Sequence, residues 1–239
     1  MSSSVTNEIE ELKRSLQKMA GLVEEAIHNA IGSLSKRDSK LAQKVIAGDD
    51  EIDRLDNLID EMCLKSLDTK KATGPDLRFL TMAMKIGTDL ERMADNAVNI
   101  AHRAISLNEE PQLKPYIDLP RMGELVGIMT RDTMEAFLSR NPDLARSVHE
   151  RDSLVDALDD QIFRELITYT VNDPTAVTRA MHLAIASRSL ERIADHATNI
   201  AEDVIFIETG EVLKHQSRRR EKSLERPDTL ALLKTHSHR

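Results

Sequence analysis

Nine of the twelve residues in Leu90-Glu91-Arg92-Met93-Ala94-Asp95-Asn96-Ala97-Val98-Asn99-Ile100-Ala101 recur one hundred positions later, in Leu190-Glu191-Arg192-Ile193-Ala194-Asp195-His196-Ala197-Thr198-Asn199-Ile200-Ala201. A repeat of this quality marks a duplicated unit, so the fold must house the same element twice. Each copy spaces a Glu, an Asp and an Asn four residues apart. On a helix that spacing stacks side chains on one face, so each half carries a row of oxygen donors.

The composition selects the kind of element. Aromatic residues are 3% of the 239, there is no Trp, and Gly and Pro together number 15. Strands favour aromatic and β-branched residues and need frequent turns, so long helices packed through aliphatic residues and alanine are expected. Ile9, Leu12, Leu16, Met19, Val23, Ala26 and Ala30 alternate spacings of three and four, a helical seam. Asp38 is placed to cap a second helix carrying Leu41, Val45, Ile52, Leu55 and Ile59. Gly74-Pro75 opens a third that runs to about Leu107. Leu119, Met122, Val126, Met129, Thr133 and Phe137 make a fourth, Asn141-Pro142 opens a fifth, and Asp173-Pro174 opens a sixth. Leu41, Val45, Asp49 and Asp53 fall on Leu144, Val148, Asp152 and Asp156 at an offset of 103. The expected fold is therefore all-α, two tandem, sequence-related three-helix bundles. Their boundaries fall at 1–112 and 113–210, and a basic, disordered tail follows at 211–239.

Glu91 and Asp95, with Glu191 and Asp195, are like charges at i, i+4, which cost an isolated helix roughly 0.2–0.5 kcal/mol per pair. Asp49 and Asp53 on the second helix and Asp152 and Asp156 on the fifth repeat the pattern, with Asp56 and Asp159 next in line. If the second helix packs on the third, and the fifth on the sixth, two acidic rows face each other in each half. Converging carboxylates raise one another's pKa unless a cation intervenes, and hard oxygen donors suit Mg²⁺, Ca²⁺, Mn²⁺ and iron. The candidate metal ligands are Glu91, Asp95, Glu191, Asp195, Asp49, Asp53, Asp152 and Asp156. Asn99, Asn199 and Asp203 extend the rows. His196, which replaces Asn96 beside a motif acid, is a candidate auxiliary ligand. The other histidines do not recur between halves.

These residues resemble the PhoU family of bacterial phosphate-signalling regulators. The motif Glu/Asp-x-x-x-Asp of that family reads here Glu91-Arg92-Met93-Ala94-Asp95 and Glu191-Arg192-Ile193-Ala194-Asp195, within a likeness spanning roughly residues 5–210. The resemblance implies multinuclear clusters of divalent or trivalent metal (iron, manganese, magnesium or zinc) on the face where the motifs meet. It also implies a non-enzymatic adaptor, a homo-oligomer with a dimer favoured. The adaptor would link the ATPase subunit of a phosphate ABC transporter to a membrane sensor kinase and so restrain the phosphate-starvation response. Asp89 becomes Ser189 in the second copy, so the two metal sites are expected to differ.

Two other readings of the acidic rows stand beside this one, a di-metal carboxylate enzyme and a helical scaffold. The enzyme needs a Glu-x-x-His pair on each of two helices, and the chain offers Glu25-x-x-His28 without a repeat. No Gly-x-x-x-x-Gly-Lys-Ser/Thr loop or Gly-x-Ser-x-Gly elbow occurs. A formal charge of −8 argues against nucleic acid as a partner. The lone Cys63 reads as a small core residue. No apolar run reaches the ~20 residues of a membrane span, and the first ten residues lack a secretory layout, so a cytoplasmic location is expected. From His215 onward the chain carries seven Lys/Arg against three Asp/Glu, including Arg218-Arg219-Arg220.

Overall fold

Six long helices follow one another in a computed structural model that describes residues 3–68 and 74–211. They are α1 (Ser3–Ser35), α2 (Ser39–Asp68), α3 (Gly74–Asn108), α4 (Asp118–Ser139), α5 (Pro142–Asn172) and α6 (Val177–Thr209), and among the described residues there is no strand. The expected basic tail lies outside the described residues apart from Glu211. The caps sit where the sequence places them. Asp38 Oδ1 accepts from the amides of Lys40 and Leu41 at 3.0 and 3.1 Å, and Asn141 Oδ1 does the same for Asp143 and Leu144. One boundary differs. Asp173-Pro174 opens a single 3₁₀ turn, Pro174–Ala176, before α6 begins at Val177. Asp173 caps that turn through the Thr175 amide at 2.9 Å.

The duplication extends into the turns. α1 and α4 both end on an arginine in the left-handed region, Arg37 (φ 55°) and Arg140 (φ 53°), which stand 103 positions apart. Each is followed by the same backbone closure: Asp38 N–H donates to Ser33 O, and Asn141 N–H to Ala136 O, both at 2.9 Å. A non-glycine residue there costs ~1–2 kcal/mol, which the closure of the helix end offsets by satisfying otherwise orphaned carbonyls.

α1, α2 and α3 pack on one another, as do α4, α5 and α6, and the halves meet where α1 crosses α4 and α3 crosses α6. The expected seam residues Leu12, Leu16, Met19, Val23 and Ala30 are buried, as are Met122, Val126 and Met129. Both halves contribute to one contiguous apolar core. Ala94, Ala97, Ala101, Ala194, Ala197 and Ala201 are all buried, which lets α3 and α6 approach closely. Cys63 is fully buried, and burial pushes its thiol up to about 12, so it packs as a small hydrophobe. Connections between halves are also polar. Lys85 pairs with Asp203, Arg131 with Glu24, and His196 Nδ1 lies 2.9 Å from Asp89 Oδ1. Between α3 and α4 the connector is held down by Arg37, which donates to the carbonyls of Asn108 and Glu110. Arg179 donates to Pro111 O at 3.1 Å, and the buried Lys114 pairs with Glu165.

Candidate functional site

α2 lies on α3 with its acidic row turned towards theirs. Carboxyls of the two rows raise one another's pKa across the helix pair. Burial first, then Asp53, Asp95 and Asp50, raise the pKa of Asp49. Glu91 is raised by burial, by Asp95 and by Asp53 and Asp56, against the opposing pull of Arg92. Burial, Asp60 and Asp53 raise Asp56. Asp49, Asp53, Asp56, Glu91 and Asp95 thus lie within electrostatic reach of their neighbours across the two rows.

The second half repeats this with α5 on α6. Burial and Asp195 raise the pKa of Asp152, while a 3.1 Å hydrogen bond from Thr198 Oγ1 pulls it down. Glu191 is pushed up to about 7, by burial, then by Asp195, with Asp156 and Asp159 adding to it and Arg188 opposing. Its side chain is only 11% exposed, with one oxygen 2.9 Å from Arg188. Its other oxygen, Oε2, is buried without a hydrogen-bond donor. The outer members of the rows, Asp53, Asp156 and Asp195, face solvent. Asn99 is exposed and Asn199 half-buried. Asp203, which extends the second row by spacing, is engaged by Lys85 across the interface between halves. His196 is engaged likewise by Asp89.

Sequence spacing gave Asp56 and Asp159 only a following place, and the structure makes them central. The two are counterparts 103 positions apart, each facing its partner helix at residue 87 or 187. In the second half Ser187 Oγ donates to Asp159 Oδ1 at 2.6 Å. In the first half Gly87 stands there, so close that an added Cβ would lie 2.8 Å from Asp56 Oδ1. That oxygen is buried and has no donor. A glycine inside a helix, where it costs roughly 0.5–1 kcal/mol relative to alanine, was the available signal.

The donor set is oxygen-only and opens to solvent on one side. Among the described residues no three His, Cys, Asp or Glu side chains stand close enough together to hold a metal ion as they lie. Such a face does not suit a closed structural cage of the zinc type. Its donors are the oxygens that hard cations prefer. The donorless buried oxygens of Asp56 and Glu191 are lone pairs that a cation would satisfy and a solvated surface row would not have.

Fold and site together define a class: a duplicated helical bundle built around two facing pairs of carboxylate rows. A PhoU domain matches the chain twice, over residues 16–104 and 119–204, and the chain belongs to the PhoU family. It is 46% identical over 209 residues to a phosphate-specific transport system accessory protein PhoU homolog from Aquifex aeolicus, covering 87% of this chain and 95% of that one. A homolog of the same description from Pseudomonas putida is 38% identical over 92% of this chain and 86% of its own. The crystal structure of PhoU from Pseudomonas aeruginosa superimposes with a TM-score of 0.84 at 39% identity, covering 86% of this chain and 99% of that one. The phosphate transport system regulatory protein PhoU from Streptococcus pneumoniae gives 0.80 at 27% identity, covering 88% and 99%. No helix among the described residues is long and apolar enough to cross a membrane.

Proposed function

We propose that this protein is a metal-binding, non-enzymatic accessory protein of phosphate transport. It would link the ATPase subunit of a phosphate transporter to a membrane sensor kinase and hold the phosphate-starvation response down when phosphate is plentiful. The observation that carries the metal part is the mutual raising of carboxyl pKa between the facing rows of each half, with a donorless buried oxygen on Asp56 and on Glu191. The regulatory part rests on relatives named as accessory or regulatory proteins of phosphate transport. Glu91, Asp95, Asp49 and Asp53 would hold cations in the first half, and Glu191, Asp195, Asp152 and Asp156 in the second. A bound cation, whether iron, manganese, magnesium or zinc, would supply the positive charge that cancels the repulsion of these rows. Arg92 and Arg188 already lie against them, Arg92 at 3.4 Å from both Glu91 and Asp95.

Protein reconstituted anaerobically with Fe²⁺ or Mn²⁺ and then desalted should retain metal, and Glu91→Gln with Asp95→Asn should halve it. Equal retention by that double variant removes the first-half site. In the host, deleting the gene should switch on phosphate-starvation genes in phosphate-rich medium, and the wild-type chain should silence them again. Normal repression in the deletion strain would overturn the regulatory reading. An adaptor of this kind needs only transient contacts of modest area, so the partners are best sought by crosslinking in cells.

A further inference from the structure

Because the chain is duplicated, a surface in one half can be compared with its counterpart in the other. In the first half Arg37 grips the chain as it leaves α3, donating to the carbonyls of Asn108 and Glu110. The connector then lies across the second half. Arg179 donates to Pro111 O, Leu113 packs half-buried against the core, and Lys114 is buried against Glu165. Transposing these positions by the repeat offsets of 100 and 103 leads to a cavity of about 170 Å³ beside the exit of α6. It is lined by Phe79, Met82, Phe137, Arg140, Val204 and Ile207, among others. Arg140 is the counterpart of Arg37, Ile207 of Leu107, and Phe79 of Arg179.

The sequence entering this place matches as well. Glu211-Val212-Leu213-Lys214 aligns with Pro111-Gln112-Leu113-Lys114, keeping the Leu-Lys pair. The seat exchanges Arg179 for Phe79 and the segment exchanges Gln112 for Val212, so both become more apolar. Phe79 and Phe137 stack with centroids 5.3 Å apart and form one wall. Gly210, left-handed at φ 74°, turns the chain out of α6, and Glu211 is anchored by Arg146 at 2.8 Å. Leu213 follows two residues on, within ~7 Å of chain.

We propose that this cavity is the docking seat for residues 212–214 of the same chain, with Leu213 as the anchor. The segment would tie the end of the second half to the start of α3 in the first, as the connector ties the first half to the second. The counterpart of Glu165 is Met62, so no acid awaits Lys214 in the equivalent place, and the leucine carries the contact.

Amide hydrogen exchange on the full chain tests this independently of any metal. The amides of 212–214 should exchange at least about tenfold more slowly than in an unstructured peptide. Leu213→Asp, which alters no residue of the core, should abolish that protection, as should Ile207→Glu, while Lys214→Ala should leave it. Exchange at the unstructured rate in the wild type, or protection that survives Leu213→Asp, overturns the proposal. Protection lost on dilution would give the seat to a second copy and overturns it equally.

Discussion

Replacing Glu191 by Gln isolates the electrostatic cost of the site. The wild-type carboxyl sits at about 7 in the folded chain against its ordinary value of 4.5, with burial and then Asp195 as its main causes. Between those two pH values the folded state keeps a proton that the unfolded state has lost, so stability must fall as pH rises through the interval. At 1.36 kcal/mol per pH step the loss approaches about 3 kcal/mol above pH 7. Gln has the same shape and no charge to desolvate, so the variant escapes the loss. Urea unfolding in the presence of a chelator, at pH 5, 6, 7 and 8, measures it. The variant should match the wild type near pH 5 and exceed it by about 2–3 kcal/mol at pH 8. Asp49, Asp56, Glu91 and Asp152 are raised with the same sign, so both proteins share a residual slope that Glu191→Gln does not remove. Adding Mn²⁺ at pH 8 should then lift the wild type more than the variant, because a ligand of the native state stabilises it by mass action. Parallel stability curves for the two proteins across this range would refute the reasoning.

Gly87→Ser should import the second half's arrangement, in which Ser187 bonds Asp159, and stabilise the chain by ~1–2 kcal/mol at neutral pH. The Asp56 carboxylate, a side-chain end, has only to move aside from the new Cβ, and a lower melting temperature for this variant would contradict the assignment. Asp89→Ser should cost ~1–3 kcal/mol by leaving His196 without its partner across the interface. Combining it with His196→Asn installs the residues found at Ser189 and Asn96 and should recover part of that loss, which a double-mutant cycle reads directly. Chelation should lower the melting temperature of the wild type, and neutralising Asp152 and Asp156 together should shrink that effect. A melting curve indifferent to chelator in both would favour the scaffold reading.

What the sequence made legible is what one helix, or one helix pair repeated, decides. The seams from Leu12 to Ala30 and from Leu119 to Phe137 face the core because spacing on a single helix fixes a face. The caps at Asp38 and Asn141 form because they need only the next three residues. The facing of the acidic rows could be anticipated because Asp49/Asp53 and Glu91/Asp95 recur together at nearly equal offsets, which ties α2 to α3 twice. Spacing fails where another element decides the outcome. Asp203 continues the row of Asp195 and Asn199 along its own helix, yet at its height α6 crosses α3, and Lys85 takes it. The Asp89–His196 pair shows the same limit with a better signal, since each of the two departs from its own repeat. In a two-fold-related crossing, position 89 against 196 is the counterpart of 189 against 96. Both departures, Asp89 against Ser189 and His196 against Asn96, therefore fall at the one Asp89–His196 contact, where they answer each other.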